Sequence, residues 1–188
     1  MKRIGILGDI GSGKTFVAKC FGHPVFNADQ EVANLYKKDK KILLKLRKVL
    51  PKYFDTPSVN KENITRAILD KHQNLKTIIK IVHLEIKKKL NFFLKKNKNK
   101  KFVILDIPLL LENKIDKKGD ILVFIKSKKS EVLKRLRTRK NYNHHLIKKF
   151  QNIQMSLDTK RKKSHFVINN NFKKKTVKKY VKDILQKI

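Results

Sequence analysis

Ile6-Leu7-Gly8-Asp9-Ile10-Gly11-Ser12-Gly13-Lys14-Thr15 closes a short apolar run, Arg3 to Gly8, and opens the helix-compatible stretch Thr15 to Phe21. Strand, glycine-rich turn and helix in that order make the first half of a βα unit. The spacing G-x4-G-K-[ST] has a physical reason. Glycines let consecutive backbone N–H groups turn inward around phosphate oxygens, and the helix that follows presents its positive end. Gly8 to Thr15 therefore reads as a P-loop for ATP or GTP, with Lys14 reaching the β- and γ-phosphates and the Thr15 hydroxyl offered to Mg²⁺.

Outward from that turn, Pro24 to Asn27 reads as a second strand ending just before Asp29, and Val32, Leu35 and Tyr36 mark a helical face. Leu43, Leu46, Val49 and Leu50 continue apolar spacing until Pro51, which is expected to stop it. Asp55 to Asn63 reads as a loop leading into a helix start. The stripe Leu75, Ile78, Ile79, Val82, Ile86, Leu90, Phe93 predicts a long helix, and Lys95 to Lys101 a solvated charged linker. Phe102 to Leu105 and Asp120 to Ile125 are continuous apolar runs, the pattern of parallel strands covered on both faces. Ser130 to Arg139 reads as a helix, His165 to Ile168 as a last strand, and Val177, Tyr180, Val181, Ile184, Leu185 and Ile188 as the apolar face of a terminal helix. Alternating strands and helices predict an α/β fold: a doubly wound parallel sheet of about five strands with helices on both faces.

The length of 188 residues suits one compact domain. Lys plus Arg number 49 against 15 Asp plus Glu, a formal charge of +34, and only seven of the cations are arginines. Such a field attracts polyanions. The lysines are scattered along the chain, however, and no base-reading motif accompanies them, so nucleic acid is expected to bind non-specifically if at all. The lone Cys20 excludes an internal disulfide framework and fits the cytosol. No segment approaches the roughly 18 apolar residues of a membrane span, and a soluble protein is expected. His72, His83, His144, His145 and His165 have no metal-binding spacing. The residues select neither a monomer nor a homo-oligomer.

Two carboxylates and three arginines remain as chemical candidates. Asp29 follows a strand whose carboxyl end faces the ligand crevice of a parallel sheet, where it can accept the proton of an acceptor hydroxyl. The same position suits an ordinary helix N-cap. Asp106 ends an apolar strand in the manner of an acid that holds Mg²⁺ directly or through water, but any buried strand can end in Asp. Arg135, Arg137 and Arg139 alternate along a helix, and one of them can neutralise a transferring phosphate.

The order of these motifs resembles the dephospho-CoA kinase family over nearly the full length. The P-loop, Val25-Phe26-Asn27-Ala28-Asp29 and above all Asp106-Ile107-Pro108-Leu109-Leu110-Leu111-Glu112 carry the likeness. Arg66, His83, Arg135, Arg139, Gln154 and Val167-Ile168-Asn169-Asn170 follow in the expected order. The resemblance implies transfer of the ATP γ-phosphoryl group to the ribose 3′-hydroxyl of dephospho-CoA. It implies catalytic roles for Asp29, Lys14 and Arg139, and ATP contacts from Gly8, Asp9, Ile10, Gly11, Ser12, Gly13, Lys14, Thr15, Phe16, Arg139 and Asn170. Asp29, Arg66, His83, Asp106, Pro108 and Leu109 would face the acceptor, and Thr15 would hold Mg²⁺ with Asp29 or Asp106 acting through water. The core would comprise 1–28, 100–138 and 164–188, with a helical acceptor-binding insertion at 29–99 and a lid at 139–163. The nearest alternatives are another small-molecule nucleoside or nucleotide kinase and a non-catalytic, nucleic-acid-binding P-loop protein. Asn27 stands where the family usually has Asp, which removes a carboxylate that would assist Mg²⁺ or the hydroxyl. Asn169 likewise replaces an expected Asp, and Leu84 follows His83 where proline is common, which predicts an uninterrupted middle helix.

Overall fold

The fold was obtained as a computed structural model, which describes residues 1–139 and 142–188. Its elements are β1 (Lys2–Gly8), α1 (Lys14–Cys20), β2 (Val25–Asn27), α2 (Ala28–Lys38), α3 (Lys40–Val49), α4 (Pro51–Phe54), α5 (Lys61–Asp70), α6 (His72–Lys96), β3 (Phe102–Asp106), β4 (Ile121–Lys126), α7 (Lys129–Arg137), α8 (His144–Asn152), α9 (Leu157–Lys162), β5 (Phe166–Asn169) and α10 (Lys174–Lys187). They fall into two compact units, 1–27 with 96–142 and 153–188, and 28–95 with 143–152.

The first unit holds a five-stranded, all-parallel sheet in the order β2-β3-β1-β4-β5. From β1 the chain goes out to β2, returns to β3, and then crosses to β4 on the other side of β1. The ligand crevice of such a sheet lies at the carboxyl ends beside that reversal. Alternate residues of each strand serve opposite faces. Ile4, Ile6, Phe102, Ile104, Val123, Ile125 and Ile168 pack with Val17 and Ala18 of α1 and Val177, Val181 and Ile184 of α10. Each such aliphatic side chain taken out of water contributes about 1.5–3 kcal/mol. On the other face a Cβ at Gly5 would come within 2.6 Å of Leu110, so the turn after β3 packs directly on the central strand.

Buried charges brace the same unit. Arg3 on β1 meets Asp120 at 2.9 Å. Burial pushes the Asp120 carboxyl above the usual carboxylate range, although the Lys117 N–H and the Arg3 guanidinium pull the other way. Lys160 on α9 is 1% exposed, and its ammonium donates to Glu112 at 2.9 Å and to Gln154 at 3.0 Å. Glu112 Oε1 also accepts the Met155 N–H at 2.8 Å, which ties the segment after β3 to the approach of α9.

The second unit is helical. Asp39 caps α3 by accepting from the Lys41 and Ile42 N–H groups, and Asn60 caps α5 through the Asn63 N–H. Leu75, Ile78, Val82, Ile86 and Leu90 form the buried stripe of α6, which runs unbroken past His83 and Leu84 as expected. Lys149 on α8 donates to the Ile68 and Leu69 carbonyls, closing the carboxyl end of α5. α3 stops at Val49, just before Pro51 as expected, and Pro51 then opens the first turn of α4, where its missing N–H is no loss. One expectation needs correcting. Lys95 and Lys96 are the last residues of α6 rather than linker. Among the described residues, no helix is long and apolar enough to cross a membrane.

Breaking the interior ion pair tests how far it braces the fold. Lys160→Met strands the Glu112 carboxylate and is expected to lower unfolding free energy by about 3–5 kcal/mol in chemical denaturation, while adding Glu112→Gln restores most of the loss.

Candidate active site

The loop between β1 and α1 is shaped by backbone. Gly11 and Gly13 sit at φ 82° and 88°, a region that side-chain-bearing residues rarely adopt. Space forbids side chains there as well. A Cβ at Gly11 would meet Leu136 of α7 at 2.8 Å, and one at Gly13 would meet the Asn170 side-chain amide at 2.5 Å. The loop closes on itself through Ser12 N–H to the Asp9 carbonyl at 3.2 Å and Ile10 N–H to the Asp9 carboxylate at 2.7 Å. The Lys14 ammonium lies across the turn, donating to the Gly8 and Asp9 carbonyls at 3.2 and 2.8 Å.

Neighbouring strands hold this turn from behind. The Ser12 carbonyl accepts the Ser127 hydroxyl, just past β4, at 2.9 Å and the Asn170 amide, just past β5, at 2.8 Å. Asn170 is only 4% exposed, and its side-chain oxygen accepts the Phe172 N–H at 2.9 Å. That bond pins Phe172 at φ 61°, and the Arg135 guanidinium covers the Phe172 ring at 4.2 Å. The Asn170 side chain thus faces the back of the loop, and Phe16 packs against the core. Arg139 lies two residues past the end of α7 with its side chain exposed. Lys140 and Asn141, which fall inside the expected lid, lie outside the described residues.

On the other side of the turn three elements meet at one atom. The Thr15 hydroxyl donates to Asp106 Oδ2 at 2.5 Å, and the Asn27 amide donates to the same oxygen at 2.6 Å while lying 3.3 Å from Thr15 Oγ1. Register explains the meeting: Asn27 ends β2 directly opposite Asp106, which ends β3. Asp106 is 4% exposed, so its carboxylate relies on these donors for hydrogen bonds. A hydroxyl and a carboxylate at the mouth of a phosphate-binding turn are hard oxygen donors suited to Mg²⁺, which takes one or two carboxylates and fills its sphere with phosphate and water. Pro108 and Leu109 follow in the turn after β3, both half-buried.

The remaining acceptor-side candidates lie in the helical unit. Asp29 is the second residue of α2, exposed, in its first turn. It is inside the helix, which corrects the N-cap reading. Arg66 is exposed on α5, and His83 is half-buried on α6 with its Nε2 buried and lacking a hydrogen-bond partner.

A family model described as dephospho-CoA kinase matches residues 2–176. The chain belongs to the dephospho-CoA kinase family. A dephospho-CoA kinase from Wolbachia pipientis wMel is 34% identical over 98% of this chain and 97% of its own length. In fold, the chain is similar to the crystal structure of TT1252 from Thermus thermophilus, with a TM-score of 0.77 at 23% identity, covering 100% of this chain and 97% of the other. It is also similar to a dephospho-CoA kinase from Campylobacter jejuni, with a TM-score of 0.63 at 18% identity over 99% and 96%.

Sequence reasoning missed three features of this family member's site. Ser127 and Phe172 brace the turn from more than a hundred residues away, and a serine after a strand or a phenylalanine in a loop gives no local signal. Asn27, a lost carboxylate by resemblance, also donates its amide to Asp106.

The crowding behind the turn yields a test. Gly13→Ala forces a side chain into the left-handed region and against Asn170, so it is expected to cost about 1–3 kcal/mol of stability. It should also weaken ATP binding more than tenfold in a fluorescent-nucleotide titration, and unchanged affinity would mean that the turn tolerates displacement.

Proposed function

We propose that this chain transfers the γ-phosphoryl group of ATP to the ribose 3′-hydroxyl of dephospho-CoA, giving ADP and coenzyme A, the last step of coenzyme A synthesis. The observation that carries the chemistry is the convergence of Thr15 and Asp106 beside the P-loop, in a chain whose family is dephospho-CoA kinase. Mg²⁺ held by Thr15 and Asp106 would supply charge neutralisation on the bridging phosphates. Lys14 and the loop N–H groups orient the triphosphate, and positioning of this kind supplies most of the catalysis in phosphoryl transfer.

In the transfer, the acceptor oxygen forms a bond to Pγ as the bond from Pγ to the β-phosphate bridging oxygen breaks. The hydroxyl proton passes to the Asp29 carboxylate, and ADP leaves. Its place in the first turn after β2, two residues beyond Asn27, supports this role for Asp29. Arg139 neutralises charge on the transferring group from a lid at 139–163. Arg66 and His83 of the helical insertion are assigned to the acceptor, as are Pro108 and Leu109 of the turn after β3. With one cysteine and no apolar helix of spanning length among the described residues, the cytosol is the compartment we assign.

An ATP-consumption assay across dephospho-CoA, adenosine, nucleoside monophosphates and short nucleic acids tests the acceptor. Turnover is expected with dephospho-CoA, and turnover only with nucleic acid would overturn the reading. Asp29→Asn is expected to lower kcat by about 10²–10⁴ with ATP affinity unchanged. A loss confined to ATP binding would remove Asp29 from the acceptor.

A further inference from the structure

Asn27 and Asp106 end adjacent strands at the same level, and their side chains meet at 2.6 Å, a short distance for an amide donor on a carboxylate. Chemistry fixes the orientation of the amide. Turned over, it would set a carbonyl oxygen against a carboxylate oxygen at that separation. The Thr15 hydroxyl shares the acceptor oxygen at 2.5 Å. A buried carboxylate is thereby satisfied by two neutral donors before any cation arrives.

This arrangement has two effects that pull in opposite directions. Asp106 and Thr15 are fixed side by side, ready to receive a cation. Yet Oδ2 already accepts from the amide, and Asn27 contributes no charge of its own. Among the described residues, no group of three or more His, Cys, Asp and Glu side chains is arranged to hold a metal. Where Asn27, Thr15 and Asp106 meet, the side chains offer one carboxylate and one hydroxyl, and an ion such as Mg²⁺ takes its remaining oxygens from phosphate and water.

We propose that Asn27 is a positioning residue that makes divalent-cation binding conditional on nucleotide: its amide holds Asp106 and Thr15 in receiving geometry, and its neutrality keeps the protein alone from capturing the ion. A carboxylate at the same place would put two negative charges on adjacent strand ends and turn the pair into a cation site in its own right. The proposal rests on the kinase reading only in that the nucleotide completes the ion's ligands.

Mn²⁺ is the probe, with free ion read by electron paramagnetic resonance on the full chain, first without nucleotide and then with a non-hydrolysable ATP analogue. Wild type is expected to bind Mn²⁺ at least tenfold more tightly with the analogue than without it. Asn27→Asp is expected to raise nucleotide-free Mn²⁺ affinity at least tenfold, narrowing that gap. Asn27→Ala, which adds no charge, is expected to leave nucleotide-free binding as in wild type and to weaken Mn²⁺ binding several-fold in the presence of the analogue. Circular dichroism checks that each variant folds. Wild type binding Mn²⁺ equally well with and without the analogue would overturn the proposal. So would an Asn27→Asp protein with wild-type Mn²⁺ affinity, or an Asn27→Ala protein indistinguishable from wild type with the analogue. If Asn27→Asp does not fold, the wild-type and Asn27→Ala arms decide. None of these readouts involves the acceptor, so an absence of dephospho-CoA turnover sinks the kinase reading without touching this one.

Discussion

Three of the six residues from Gly8 to Gly13 are glycine, and the ligand end of the sheet is arranged around the freedom they leave. Glycine gives the backbone its left-handed steps at 11 and 13, but glycine is also the residue with most freedom to lose. Beyond the bonds that Asp9 makes within the loop, stiffness comes from outside. It comes from one carbonyl, that of Ser12, which accepts hydrogen bonds from the ends of both β4 and β5. Leu136 and Asn170 then fill the space that side chains on Gly11 and Gly13 would occupy. Loop and surroundings fit only because each omits what the other provides, and Phe172 is held in a strained conformation to complete the fit.

Asp106 does the complementary work on the other flank. Its Oδ2 joins the start of α1, the end of β2 and the end of β3. The two constellations meet in consecutive stretches of chain, since Ser12 and Thr15 are three residues apart. All five strand ends are therefore linked, directly or through one side chain, to the turn or the first residues of its helix. A displacement of any one strand along its axis would be felt at the phosphate-binding backbone, which is what positioning catalysis requires.

The parts of this arrangement that were legible in sequence are those whose cause is local. The spacing of Gly8, Gly13, Lys14 and Thr15 encodes a conformation and a charge within eight residues, and the apolar runs at 102–105 and 120–125 announce strands buried on both faces. The supports were not legible because their cause is register. Nothing near Asn27 says that it will stand opposite Asp106. Nothing near Lys160 distinguishes it from the other lysines, yet among the described residues it is the one lysine that is buried, because Glu112 arrives from nearly fifty residues away. The family resemblance named Asn170 as an ATP contact, while the geometry gives its side chain to the loop. Asp29 hung on a helix boundary, and a start at Ala28 rather than Gln30 decided between a cap and a first-turn carboxylate.

The net charge of +34 gives the neutral amide at Asn27 a wider setting. A protein so positive repels free divalent cations and attracts nucleotides, out to the Debye length of roughly 8 Å at physiological ionic strength. Carboxylates at the site would be the means of overcoming that repulsion, but Asp9 already accepts the Ile10 N–H and Asp106 is engaged by two neutral donors. An ion already complexed by a triphosphate carries net negative charge and meets no such barrier. The long-range field and the short-range hydrogen bond therefore favour the same order of events, in which cation and nucleotide arrive together and Thr15 and Asp106 receive an ion whose charge the phosphates have already offset.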